Sequence, residues 1–125
     1  MAAIAETGWT PKAAENRIRS MVEQRPDWLV SRQRAWGVPL TLFVEKGTTR
    51  VLNDHKVNAR IVKAVAEDGA DAWFERPASE FLGDEYAADD YEKVTDILDV
   101  WFDSGCTHAF ALEPRADQKW PADLY

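Results

Sequence analysis

Residues 96–110 read DILDVWFDSGCTHAF, an apolar run followed by a carboxylate, a hydroxyl, a glycine, a cysteine and a histidine. An apolar run of this kind predicts a buried β-strand that delivers Trp101 and ends at Ser104 and Gly105. Because open α/β sheets bind ligands beyond the carboxyl ends of their strands, the cluster indicates one wall of a binding site. A core tryptophan before a turn fits the same pattern equally well.

The amino-acid composition limits the class of protein. The chain has 125 residues, 46% of them hydrophobic, and one cysteine. A single cysteine excludes an internal disulfide and a thiolate-rich zinc site, so we expect a reducing, cytoplasmic location. The apolar runs are too short to span a membrane. Residues 1–63 carry a net charge of +5 and residues 64–125 one of −12, so the basic half could face either a polyanion or the acidic half.

The periodicity mixes helices and strands, which predicts an α/β class with a mixed α+β arrangement. Residues 10–25 have helical spacing with Thr10 as N-cap, and residues 57–66 have it again before a stop at Gly69. Other segments are expected to be extended or irregular. These are a hairpin over 40–52, an extended piece at 71–76, an acidic irregular segment at 77–94 with at most one helical turn at its start, and a final strand approached by 116–125.

Hydrolase chemistry is a weak alternative for the cluster. Ser104 and His108, with Asp103 and Cys106 nearby, are residue types found in such sites, but the chain has no Gly-x-Ser-x-Gly turn. A bound metal is weaker still, since the acidic run 84–92 lacks the glycine and the closing glutamate of a calcium loop.

A second segment, DWLVSRQRAWG at residues 27–37, places two arginines on the same side of an extended chain. Arg32 and Arg34 suit phosphate contacts, and the flanking Trp28 and Trp36 suit base stacking. The alternative is that the arginines pair with the acidic half of the same chain.

Together these segments resemble a known family. RPDWLVSRQRAWGVPL at 25–40, followed by DILDVWFDSG at 96–105, is similar to the class I aminoacyl-tRNA synthetases, particularly the isoleucyl members. WTPKAAENRI, EFLG and PADLY add weaker support, so the resemblance spans nearly the whole chain. Asp103 favours the isoleucyl over the valyl members, which characteristically have Trp-Phe-Ser-Ser at the second motif.

The resemblance implies an internal fragment of isoleucine–tRNA ligase. Residues 1–40 would return from the inserted editing domain, 41–93 would form a smaller inserted subdomain, and 94–125 would re-enter the Rossmann-type core. The parent would use ATP and Mg²⁺ to activate isoleucine and would transfer it to tRNA(Ile). The HIGH-like and KMSKS-like signatures are missing from this sequence, so the fragment itself is expected to be inactive. Some relatives carry a zinc knuckle here, but this segment has no cysteine for one.

The resemblance also implies roles for single residues. Trp101 matches the tryptophan that lines the isoleucine side-chain pocket, with support from Asp103, Ser104 and Gly105. A second set matches the hinge motif, whose arginines would guide the tRNA acceptor end or brace the hinge: Ser31, Arg32, Gln33, Arg34, Trp36 and Gly37. No catalytic residue is expected in this chain. The alternatives are a non-catalytic tRNA-binding module that uses the basic half and, with less support, the small hydrolase.

Overall fold

The computed structural model describes residues 1–122. This range contains helices and very short strands. In chain order the elements are α1 (Ala2–Glu6), α2 (Ala14–Glu23), β1 (Ser31–Arg32), β2 (Phe43–Glu45), α3 (His55–Asp68), α4 (Ala72–Glu75), α5 (Ala78–Leu82), a 3-10 helix (Ala88–Asp90), β3 (Tyr91–Lys93), β4 (Ile97–Leu98), α6 (Val100–Gly105) and α7 (Thr107–Ala111).

The described strands form two small antiparallel sheets. β1 pairs with β4, and β2 pairs with β3. Mixed helices and small sheets agree with the predicted α/β class. Because both of these sheets are antiparallel, the Rossmann-type part of that prediction rests on the resemblance alone.

The buried core lies between β2 and the helices α3, α4 and α5. Trp73 is its centre: the side chain is fully buried, its ring meets Phe43 edge-on at 5.1 Å, and its Nε1 donates to the Val94 carbonyl at 2.8 Å. Lys93 places Nζ 5.0 Å from the Trp73 ring centroid, a cation–π contact. The other core residues are apolar and buried: Val57, Ile61, Ala64, Ala72, Phe81 and Leu82.

Helix α3 shows why one sequence prediction is confirmed. Asp54 precedes the helix in an extended conformation and accepts hydrogen bonds from the backbone N–H groups of Lys56 and Val57. Gly69 ends it with φ +80°, which the missing side chain permits. Both signals are local, so they are visible in the sequence.

The strand predicted over residues 95–102 is correct only at its start, and the prediction that it delivers Trp101 at its end is wrong. β4 contains only Ile97 and Leu98, and helix α6 begins at Val100. Asp99 causes the change because its side chain accepts a hydrogen bond from the Trp101 N–H, which starts a helix instead of prolonging the strand.

Other predictions need smaller corrections. The extended piece predicted at 71–76 is helix α4, and helix α2 begins at Ala14 instead of near Thr10. The predicted hairpin is present, although its second strand is shortened to a bridge between Val44 and Val51. The Leu52 N–H donates to the Phe43 carbonyl and the Glu45 N–H to the Arg50 carbonyl, while the other edge of β2 pairs with β3. Residues 116–122 contain no strand, and the rest of the predicted final strand lies outside the described residues.

Candidate functional site

The two motifs lie side by side in the structure. Their strands pair with Ser31 opposite Leu98 and Arg32 opposite Ile97. The Asp99 N–H donates to the Val30 carbonyl at 2.7 Å, which extends the pairing past β4. Segments more than sixty residues apart in sequence therefore form one junction.

The Asp99 side chain binds both motifs at once. It is mostly buried, with 8% of the residue exposed. Its Oδ1 accepts from the Trp101 N–H at 3.0 Å, and its Oδ2 accepts from Trp28 Nε1 at 3.2 Å and from the Arg32 guanidinium. The Trp101 N–H, with help from Trp28 and Arg32 and against the effect of desolvation, lowers the pKa of Asp99 below its usual value. Asp99 is thus held as a carboxylate.

The two candidate arginines have different surroundings. Arg32 is anchored: besides Asp99, it donates to the carbonyls of Leu29 at 2.6 Å and Ser31 at 2.7 Å. Arg34 is exposed and has no hydrogen-bond or ion-pair partner among residues 1–122. The sequence left phosphate contact and internal pairing open for both residues, and internal pairing applies to Arg32.

Gln33 and Trp36 differ in the same way. Gln33 Nε2 donates to Asp96 Oδ2 at 2.9 Å, a second but exposed bond between the motifs. The Trp36 side chain is 90% exposed. A cleft of about 240 Å³ lies beside it and brings residues of both motifs together: Arg32, Arg34, Trp36, Gly37, Ile97, Leu98, Asp99, Val100 and Asp103.

The predicted pocket residues are divided between different surfaces. Trp101 lies on α6 and is 73% exposed, so it is neither a core tryptophan nor a strand-end residue. Asp103 lines the cleft next to the hinge motif. Ser104 and Gly105 line a separate, mainly apolar cavity of about 440 Å³, together with Thr107, His108, Ala111, Leu112, Trp120 and Ala122.

The hydrolase alternative receives little geometric support. His108 Nδ1 lies 2.7 Å from Glu113 Oε1, and the ring stacks near Trp120 with centroids 5.6 Å apart. The hydrogen bond that the structure shows for the His108 ring goes to Glu113 and not to Ser104. A serine nucleophile needs its base within hydrogen-bond reach.

Two wider searches of residues 1–122 complete the description. No group of three or more His, Cys, Asp or Glu side chains is arranged to hold a metal ion. No helix in this part of the chain has both the length and the apolar composition to cross a membrane.

Asp99 and Trp28 complete the junction, but sequence reasoning did not place Asp99 in the site. One signal was available, because Asp99 is a lone carboxylate inside the apolar run ILDVWF. A buried carboxylate needs partners, so such a residue points to a cap or an ion pair.

Comparison with known proteins finds matches over nearly the whole chain. The family model described as tRNA synthetases class I (I, L, M and V) matches residues 1–125. An isoleucine–tRNA ligase of Caulobacter vibrioides is 64% identical over 123 residues, which are 98% of this chain and 13% of that ligase. Ligases of the same name from Pelagibacter ubique and Zymomonas mobilis are 53% and 56% identical over 98% of the chain. The chain spans only 13–14% of the length of these relatives.

Proposed function

Because this chain belongs to the class I tRNA synthetases of the isoleucine, leucine, methionine and valine group, we propose that it is the segment of an isoleucine–tRNA ligase that joins the amino-acid pocket to the editing-domain hinge. The observation that carries this proposal is the 64% identity to a ligase of that specificity across 98% of the chain. Asp103, in the WFDSG motif, supports the isoleucine assignment within the group.

The parent enzyme would activate isoleucine with ATP and Mg²⁺ and then esterify tRNA(Ile). The HIGH-like and KMSKS-like signatures, to which the family resemblance assigns ATP binding, are missing from this sequence. We therefore assign ATP and Mg²⁺ to other parts of the ligase. The 125-residue chain alone should be inactive. We expect the ligase to be cytoplasmic, as the single cysteine of this segment predicts.

Trp101 is the residue we assign to substrate choice. It projects from α6 with most of its side chain exposed, so its rigid indole is available as a wall for an aliphatic side chain. Ser104 and Gly105 follow on the same helix and would support the pocket from the neighbouring cavity. Such a wall discriminates weakly against valine, because one missing methylene is worth only about 1–3 kcal/mol.

Arg34 and Trp36 are the residues we assign to the tRNA. Arg34 has no partner within residues 1–122, so its guanidinium would be available to contact phosphate, and the exposed Trp36 indole would be available to stack on a base. Arg32, Gln33 and Gly37 would instead brace the hinge, since each contacts the β4 motif.

The domain division is part of the same proposal. Residues 1–40 form the hinge return, 41–93 the inserted subdomain and 94–125 the re-entry into the catalytic core. The buried cluster supports it, because every member lies between Phe43 and Leu82.

A graft tests the function directly. The corresponding 123 residues of the Caulobacter ligase are replaced by this segment, and isoleucine-dependent ATP–pyrophosphate exchange and charging of tRNA(Ile) are measured. We expect both activities to remain close to those of the ungrafted enzyme. A folded graft with no isoleucine-dependent exchange would contradict the proposal.

The alternative binding module is separated by a second measurement. If the chain acts alone, it should bind tRNA with an affinity that falls steeply with salt. Tight, salt-dependent tRNA binding by the 125-residue chain, together with an inactive graft, would favour that alternative.

A further inference from the structure

One carboxylate links the hinge motif to the helix that carries Trp101. Asp99 uses its two oxygens differently: Oδ1 accepts from the Trp101 N–H at 3.0 Å, while Oδ2 accepts from Trp28 Nε1 and from the Arg32 guanidinium. The side chain is thereby fixed between β1 and the start of α6.

We propose that Asp99 is a positioning residue for isoleucine selection, which holds the first turn of α6 and thus the Trp101 indole at a fixed angle against the hinge strand. This inference rests on the proposed function of the segment. Asp99 itself would touch neither isoleucine nor tRNA.

The surroundings of Trp101 explain why such a residue is needed. The Trp101 side chain is 73% exposed, so little packing of its own holds it within residues 1–122. Its position depends on the backbone of α6, a six-residue helix. So short a helix is not stable by itself and depends on its cap and its tertiary contacts.

The Asp99 side chain also connects the hinge motif with the motif assigned to the amino-acid pocket. Arg32 lies in the hinge motif and Trp101 in the pocket motif, and both bind the same carboxylate. A displacement of the hinge strand at Arg32 would therefore be transmitted through Asp99 to the Trp101 wall.

The test uses the full-length Caulobacter ligase carrying this segment. Asp99→Asn keeps an oxygen that can accept from the Trp101 N–H but replaces Oδ2 with an NH₂ donor. It therefore removes the bonds to Trp28 and Arg32 while it preserves the cap of α6. We expect a several-fold rise in KM for isoleucine with kcat nearly unchanged, and a rise on the order of tenfold for Asp99→Ala, which loses both halves. Arg32→Gln should reproduce the Asp99→Asn effect, and the double variant should be no worse than the more affected single one.

Asp96→Ala is the matched control for Asp99→Ala. It removes the acceptor of the exposed hydrogen bond from Gln33 Nε2 to Asp96 Oδ2, which joins the motifs but caps no helix. We expect its KM for isoleucine to be unchanged. Equal effects in the Asp96 and Asp99 variants, additive effects of Arg32 and Asp99, or a loss of kcat with KM preserved would each overturn the inference.

Failure of the proposed function is detected separately. A folded graft with the unaltered segment but without isoleucine-dependent exchange refutes that function, whatever the Asp99 variants do. In the same protein, amide hydrogen exchange at Trp101 should accelerate in Asp99→Ala and not in Asp96→Ala. Unchanged exchange in Asp99→Ala would show that Asp99 does not hold the helix and would overturn the positioning role.

Discussion

Gly37 of the hinge motif and Ile97 of β4 lie in direct contact across the junction of the two motifs. A β-carbon added to Gly37 would lie 3.2 Å from Ile97 Cβ and closer still to Ile97 Cδ1. Gly37 also has φ +151°, a conformation that side-chain-bearing residues rarely adopt. The position therefore has both a steric and a conformational reason to be glycine.

Gly37→Ala should destabilise the chain by roughly 1–3 kcal/mol, the usual cost of a residue held in a sparsely populated backbone region. The midpoint of urea denaturation measures it. Gly8→Ala is the matched control, because nothing lies within 4 Å of a β-carbon there. In an Ile97→Val background, which lacks Cδ1, the Gly37→Ala penalty should be smaller. An equal penalty in both backgrounds would assign the whole cost to the backbone.

The loss of stability on replacing a tryptophan should depend on how deeply that tryptophan is buried. Trp73 is fully buried and hydrogen-bonded, so Trp73→Ala should cost about 3–5 kcal/mol in the free energy of unfolding. Trp36 is 90% exposed, and Trp36→Ala should stay within about 0.5 kcal/mol of the wild type. Chemical denaturation of both variants provides the comparison, and similar losses would contradict the location of the core.

Local signals explain which parts of the fold the sequence predicts. The apolar spacing over residues 57–66 and the stop at Gly69 predict α3 from a short window, and the Asp54 cap is a further local signal that the structure shows. The helix containing Trp73 was predicted as extended chain, because its conformation depends on contacts such as the bond to Val94, far along the sequence. The pairing of β2 with β3 is likewise non-local, and no turn residue encodes it.

The candidate site divides in the same way. The types and order of residues in the two motifs were sufficient to suggest the family, which the comparison confirms. Arg32 pairs with Asp99 and Arg34 does not, and this difference depends on the position of Asp99 in the tertiary structure. The alternation of side chains along an extended segment places Arg32 and Arg34 on the same side. The sequence pattern therefore could not show which of the two arginines is paired.

Arg34 and Arg32 should therefore respond differently when tRNA binding is measured against salt. Arg34→Gln in the full-length ligase removes a cation that has no partner within residues 1–122, so it should weaken tRNA binding and reduce the slope of log affinity against log salt by about 0.7–0.9. Arg32→Gln should leave that slope unchanged and lower the stability of the junction instead. Equal changes of slope in the two variants would contradict this division.

The acid sensitivity of the fold should depend partly on Asp54. Hydrogen bonds from the Val57 N–H, the Tyr86 hydroxyl and the Lys56 N–H lower the pKa of Asp54 in the folded chain. Because the unfolded pKa is about 3.9, this stabilisation is present above about pH 4 and is lost as the pH falls through the lower folded value. Asp54→Asn should therefore lose less stability than the wild type between neutral pH and about pH 3. Denaturant midpoints at the two pH values measure the difference, and identical losses would contradict the role of Asp54.

Trp101 offers the most direct check on substrate choice. In the full-length ligase, Trp101→Ala removes an indole that has little packing within residues 1–122, so it should disturb the fold of this segment little. It should raise KM for isoleucine on the order of tenfold and reduce the preference over valine, because the wall of the side-chain pocket is lost. Phe110→Ala on α7 is the control, since it removes another aromatic ring that is exposed within residues 1–122 and should leave both quantities unchanged. Activation kinetics with each amino acid measure the effect. An unchanged KM for isoleucine in Trp101→Ala would contradict the assignment of Trp101 to the pocket. The proposed role of Asp99 in positioning Trp101 for isoleucine selection would then be contradicted as well.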